Sequence, residues 1–184
     1  MLELRIGQSV PVTGGDPVQV REAAPEDDDA VVVLMTAYLD WAHAILRDQY
    51  EVQEPPTDSS LVRNSLAGLR RPSAMILLAE RGGDPIGVGA IRGLNTDIAE
   101  VKRMYVDPAA RGLHAGAAVL DRLLSEARHA GPKTLRLDTC EFMTDAQRLY
   151  RSRGFTERSP YEGTEIPEHL QKYWLFFERP LRAD

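Results

Sequence analysis

From Arg111 to Gly116 the chain reads RGLHAG, a cation followed by small residues where a strand pattern gives way to a helix pattern. The first N–H groups of a helix have no intrahelical acceptor and sit at the positive end of its macrodipole, so an anion is stabilised there. Arg111 adds a guanidinium that can fork onto phosphate oxygens, while Gly112 and Gly116 let backbone approach a ligand with no Cβ in the way. The spacing points to a phosphorylated ligand. Neither G-x-x-x-x-G-K-[ST] nor G-x-G-x-x-G occurs in the chain, which sets aside P-loop and dinucleotide-binding chemistry.

A second group of candidates lies further on, in AQRLYRSRGF from Ala146 to Phe155. Tyr150 shares a helix face with Ala146 and Leu149, a placement that core packing alone would also explain. The single cysteine, Cys140, excludes an intramolecular disulfide framework and a multi-cysteine zinc cluster. It sits at a strand end, with nothing marking His114 or His129 as its base, so packing explains it better than nucleophilic catalysis. The four histidines are scattered, with no H-E-x-x-H and no i, i+4 pair, and no metal is expected.

The elements that must position these residues alternate along the chain. Residues 1–17 read as a lead-in with a short strand at Leu2 to Ile6, and a domain over 18–184 opens with a strand at Val18 to Glu22. After Pro25 an acidic run suits a helix N-terminus, and that helix continues through Leu34, Leu39 and Leu46. A loop from Glu51 to Ser60 leads to a second helix ending near Arg70. Strands at Ala74 to Glu80 and Pro85 to Ile91 flank the hairpin signal RGGD. A strand from Ile98 to Val106 precedes the Arg111 loop, and an amphipathic helix from His114 to His129 follows it, with Leu120, Leu123, Leu124 and Ala127 at helical spacing. In TLRLDTC, Leu135 and Leu137 alternate with Arg136 and Asp138, the period of a half-buried strand. A helix from Asp145 to Arg153 stops at Gly154, and strands at Phe155 to Tyr161 and Tyr173 to Arg179 close the chain.

The RGLHAG loop between strand and helix, with the A-x-x-L-Y-x-x-x-G-F element downstream, resembles the GNAT superfamily of acetyl-CoA-dependent N-acetyltransferases. The resemblance implies a mixed α/β fold (α+β), a central, mostly antiparallel sheet flanked by helices and splayed open between the fourth and fifth strands. It implies that main-chain amides of Arg111, Gly112, Leu113, His114, Ala115 and Gly116 hold the pyrophosphate of acetyl-CoA. His114 stands where the family signature [Q/R]-x-x-G-x-[G/A] has its middle glycine, and its imidazole is expected to face solvent. Met104, Tyr105 and Val106 fall on the strand that in the family carries a bulge, exposing main chain to thioester and pantetheine; the Met104 amide is then the donor to the acetyl carbonyl. Tyr150 corresponds to the tyrosine whose hydroxyl faces the CoA sulfur and acts as general acid. Met143 occupies the place of an asparagine that in many members contacts the pantetheine arm. Glu100 stands where some members carry a glutamate base, with Asp138 and Glu141 as alternatives on the neighbouring strand.

The bulk properties fit one such domain: 184 residues, 43% hydrophobic, are enough for one substantial core. A net charge of −6 argues against binding nucleic acid through a broad basic surface and favours a cationic acceptor. No apolar run reads as a membrane span and no signal peptide is evident, so a cytoplasmic protein is expected. The expected reaction is direct transfer of acetyl from acetyl-CoA to a primary amine, on a small molecule or a peptide, with the segments 51–60 and 161–169 shaping the acceptor pocket. Tyr161, Tyr173 and Trp174 are candidates for its wall, with core packing the favoured role for Trp174. Many members of the family dimerise, which makes a homodimer an expected partner state. The competing reading is a non-catalytic acyl-CoA-binding regulatory module of the same fold, for which His114 and Met143 speak.

Overall fold

The computed structural model describes residues 15–181; the expected strand at Leu2 to Ile6 lies outside them. Seven strands form one sheet in the order β1-β2-β3-β4-β5-β7-β6: β1 Gln19–Glu22, β2 Ala74–Arg81, β3 Asp84–Gly93, β4 Ile98–Val106, β5 Thr134–Cys140, β6 Thr156–Arg158 and β7 Trp174–Pro180. The helices are α1 Asp28–Tyr50, α2 Ser59–Ser65, α3 Ala115–Ala130 and α4 Thr144–Ser152.

Sequence pattern explains the layering. β2 is a continuous apolar run because both its faces are covered. Met75, Leu77 and Ala79 belong to one core with Leu120, Leu123 and Leu124 of α3, whereas Ile76 and Leu78 belong to another with Val31, Leu34 and Met35 of α1. The β2–β3 hairpin turns on Gly82 and Gly83 at φ 60° and 88°, the left-handed pair that a tight hairpin between Arg81 and Asp84 requires. By length and composition α1, with the turn before it, is apolar enough to cross a bilayer, which the sequence reading did not register. In the fold Val31, Val32, Leu34 and Met35 of this helix pack against the sheet.

Every strand pairing is antiparallel except β4 with β5. Those two pair only at Ile98, Ala99 and Glu100 against Thr134, Leu135 and Arg136. Beyond Glu100 they diverge, giving the opening expected between the fourth and fifth strands. Two boundaries differ from expectation. β6 spans only Thr156–Arg158 rather than reaching Tyr161, and a 3-10 turn at Glu168–Tyr173 leads into β7. The second helix is also shorter than expected, its last residues, Leu66–Leu69, tightening into 3-10 geometry before Arg70.

Candidate active site

The opening begins at a bulge in β4. Val88 pairs with Tyr105 and Ala90 with Lys102, so Arg103 and Met104 together oppose the single residue Gly89. A Cβ on Gly89 would lie 2.6 Å from Cγ1 of Val119 and 3.2 Å from Cγ of Met104, so the close approach of α3 to the bulge demands glycine there. Arg103 adopts φ 56°, a left-handed conformation that a non-glycine residue holds at a cost. Met104, the expected donor to an acetyl carbonyl, is thereby left without a strand partner in β3.

After β4, Asp107 accepts the Ala109 amide at 2.8 Å and caps a 3-10 turn at Pro108–Ala110. The chain then passes through Gly112 at φ 84° and His114 at φ 58° before α3 starts. A family glycine at the position of His114 is explained by that left-handed geometry as much as by room for phosphate. The His114 side chain is exposed and makes no capping bond, in line with a solvent-facing imidazole. The first helical bond runs from Ala118 N to His114 O, so the amides of Ala115, Gly116 and Ala117 donate to no acceptor among the described residues. Arg111 is exposed beside them. A Cβ on Gly116 would meet Cγ2 of Val106 at 3.6 Å and Cδ2 of Leu149 at 3.8 Å, ordinary contacts, so nothing among the described residues requires glycine there. Those neighbours set the loop against the end of β4 and against α4.

Between the diverging strands lies a cavity of about 230 Å³, walled by the β4 bulge, the end of β5, α1 and α4. Tyr150 reaches it from α4, with its ring against Phe155 and Phe177 at 6.0 and 6.1 Å between centroids. Burial, reinforced by the charge of Asp138, pushes its hydroxyl well above the usual phenol range, so it carries its proton throughout the physiological range. Met143, Met104 and Cys140 also line the cavity. Met143 accepts from the Thr139 hydroxyl through its sulfur at 3.4 Å, and burial raises the Cys140 thiol far above thiolate range, which leaves it a packing residue.

The polar floor lies on the face away from α3. Glu100 is fully buried: one oxygen accepts from the Tyr161 hydroxyl at 2.7 Å, and the other from Nε of Arg92 at 2.8 Å. Glu100 does not line the cavity. The carboxylate expected as a base is instead held inside the sheet, with Arg92 at 2.7 Å as its chief cation and Lys102 at 3.8 Å. Asp138 does line the cavity. Its Oδ2 is buried without a hydrogen-bond partner, Lys102 Nζ standing 3.6 Å away, and burial raises its carboxyl above the ordinary aspartate value. Lys102 Nζ is closest to Glu165, at 3.2 Å. Glu141 is exposed past the end of β5.

Sequence reasoning missed two contributors. Tyr38 lines the cavity from α1, over 100 residues from Tyr150, and no local motif could announce it. Gln147 is buried and donates to the carbonyls of Cys140 and Glu141 at 3.2 and 2.8 Å, fastening α4 to the end of β5. Of the three aromatics expected near the pocket, Trp174 is in the wall, whereas Tyr161 and Tyr173 are not. Tyr105 and Val106 flank the site without lining it: Tyr105 stacks on Tyr38 at 6.0 Å, and Val106 packs in the α3 core.

Comparison with known proteins places this architecture. A model described as the Acetyltransferase (GNAT) family matches residues 35–155, from the wall helix α1 through Tyr150 to Phe155. The chain belongs to this family. The IAA acetyltransferase of Azospirillum brasilense is 38% identical over 136 residues, covering 73% of this chain and 85% of that protein. Among solved structures, a GNAT-family acetyltransferase from Staphylococcus aureus Mu50 superposes with a TM-score of 0.70 at 17% identity, covering 90% of this chain and 99% of that one. The yncA protein of Salmonella typhimurium, solved with its cofactor acetyl-CoA, gives a TM-score of 0.68 at 20% identity, covering 91% and 95%. GNAT membership and the named relatives make the chain an acyltransferase, and the open sheet with its parallel β4–β5 contact is the GNAT fold.

Proposed function

We propose that the chain transfers an acetyl group from acetyl-CoA to a primary amine by direct attack within a ternary complex. The observation that carries this reading is that Tyr150, Asp138 and the β4 bulge at Met104 all line one cavity in the β4–β5 opening. The structural likeness to a protein solved with acetyl-CoA supports the choice of donor.

Acetyl-CoA supplies the activated acetyl thioester. The free amides at the start of α3 and the Arg111 guanidinium fit its pyrophosphate, since each is an unsatisfied donor beside the end of β4. The Met104 amide donates to the carbonyl oxygen as negative charge develops there, an interaction worth about 2–4 kcal/mol when preorganised. An alkylamine with a pKa of about 10.4 arrives as ammonium and must lose a proton before it attacks. Asp138 takes that proton in preference to Glu100, because its Oδ2 is unpartnered at the cavity whereas both Glu100 oxygens are engaged. The amine nitrogen then bonds to the acetyl carbon, the carbon–sulfur bond breaks, Tyr150 donates its proton to the departing sulfur, and the second proton shed by the acylated nitrogen restores the Tyr150 hydroxyl. Met143 contributes packing rather than a hydrogen bond to the pantetheine arm.

The experiment is release of free CoA thiol from acetyl-CoA across a panel of primary amines. Amine-dependent release supports the reading. Tight acetyl-CoA binding with no release on a broad panel contradicts it and favours a binding module.

A further inference from the structure

Two opposite charges that line the cavity keep hydrogen-bonding capacity that no described residue uses. Asp138 has a side chain only 10% exposed, and its Oδ2 makes no hydrogen bond. Arg103 lies half-buried at the β4 bulge and forms no hydrogen bond or ion pair with any described residue. Its neighbour Lys102 differs in this respect, with Glu165 at 3.2 Å, Asp138 at 3.6 Å and Glu100 at 3.8 Å around its ammonium. Arg103 is therefore the cation of the cavity that remains available to an anion.

Its backbone reinforces the point. At φ 56° the chain holds an arginine in the left-handed region, at the bulge that exposes Met104. Such strained positions persist where surrounding structure enforces them and cluster at ligand-binding sites. The side chain lines the cavity together with Tyr38 of α1, the helix packed on the sheet face opposite α3 and its free amides.

We propose that the acceptor is a small amine that also carries a carboxylate, an amino-acid-like zwitterion, with Asp138 facing its ammonium and the Arg103 guanidinium forking onto its carboxylate. An arginine fork matches a carboxylate through two parallel N–H···O bonds, which gives direction as well as charge. The cavity, about 230 Å³, falls below the roughly 300–1,000 Å³ of sites for drug-sized ligands, which fits a small acceptor. A zwitterion gives the Asp138 Oδ2 a hydrogen-bond donor and Arg103 an anion at once, whereas a plain polyamine would leave Arg103 facing a second cation.

This inference rests on the acetyl-transfer reading above, and the test separates the two. Thiol release from acetyl-CoA is measured with matched acceptors, free amino acids against their carboxamides, for wild type, Arg103→Gln and Arg103→Lys, with acetyl-CoA affinity measured by titration. Wild type should prefer the free acids, and the acid-to-amide ratio of kcat/KM should fall by about tenfold or more in Arg103→Gln, with Arg103→Lys in between. Preference of wild type for carboxamides, or an equal loss on both acceptors, overturns the zwitterion while leaving acetyl transfer intact. A loss confined to acetyl-CoA affinity assigns Arg103 to the donor and likewise overturns it. Absence of turnover on every acceptor contradicts the acetyl-transfer reading itself, and the present inference falls with it.

Discussion

The Tyr161 hydroxyl donates a 2.7 Å hydrogen bond to Oε1 of Glu100, and the Glu100 carboxylate has no exposure to solvent. The pair joins the segment before β7 to the last residue of β4 that pairs with β5. It therefore sits where the sheet stops being continuous and the cavity begins. A buried carboxylate stripped of one donor retains its desolvation cost without full compensation. Tyr161→Phe should destabilise the fold by about 1–3 kcal/mol, lowering Tm by a few degrees, with little change in kcat/KM. Thermal unfolding paired with thiol-release kinetics checks this. A collapse of turnover at unchanged Tm would instead put Glu100 in the proton-transfer chemistry.

His114 holds a left-handed backbone at the entry to α3 and contributes no capping bond. His114→Gly removes the Cβ penalty of that conformation, of order 1 kcal/mol, and leaves the amide donor in place. The variant should be equally or more stable and should bind acetyl-CoA at least as well, measured by titration. A marked loss of affinity would show the imidazole itself contacting phosphate.

The Asp138 carboxyl is raised chiefly by burial, with Glu100 and Glu165 adding to the rise and Lys102 opposing it. Tyr38, Tyr150 and Cys140, which line the same cavity, are held in their neutral forms near pH 7 by upward shifts of their own. A base must be ionised to work, so the acid limb of the kcat/KM profile should lie above the ordinary aspartate value of about 3.9, and activity should rise as pH climbs through it. Asp138→Asn should remove that limb and lower turnover by about 10²–10⁴. A raised carboxyl means that its ionised form is disfavoured in the fold, so the asparagine variant should also melt higher at pH 7. An unchanged pH profile would exclude Asp138 as the base.

Far from the cavity, Asp27 shows the opposite sign. Its carboxylate accepts two hydrogen bonds from Arg21, at 2.6 and 2.8 Å, and one from the Ala24 amide at 2.8 Å. Its pKa falls from 3.8 to about 2, chiefly through Arg21. A lowered folded pKa contributes stability that is present above the unfolded value and is lost as pH falls from about 4 toward 2. Asp27→Asn should therefore be less stable at pH 7 and lose less further stability over that acid window. Chemical denaturation at several pH values measures both effects.

The parts of this site that were legible in the sequence are those built from neighbours along the chain. The strand, loop and helix around RGLHAG, and the i−4 and i−1 companions of Tyr150 on α4, are local patterns with fixed periods. A bulge was anticipated through family resemblance alone, at Met104 to Val106, because the two-against-one register with Gly89 depends on a partner strand; it lies one residue earlier, at Arg103 and Met104. Tyr38 was invisible for a related reason: only tertiary packing brings α1 to the wall opposite α4. Glu100 was misplaced because its strand position does not reveal Arg92 and Tyr161, which reach it from β3 and from the segment before β7.

The central claim, that Tyr150 delivers a proton to the departing sulfur, is tested most directly by Tyr150→Phe. The phenyl ring keeps the packing against Phe155 and Phe177 and removes only the hydroxyl. Amine-dependent CoA release should fall by about 10²–10⁴ while acetyl-CoA affinity, measured by titration, holds. Release at the wild-type rate from the phenylalanine variant would contradict the account.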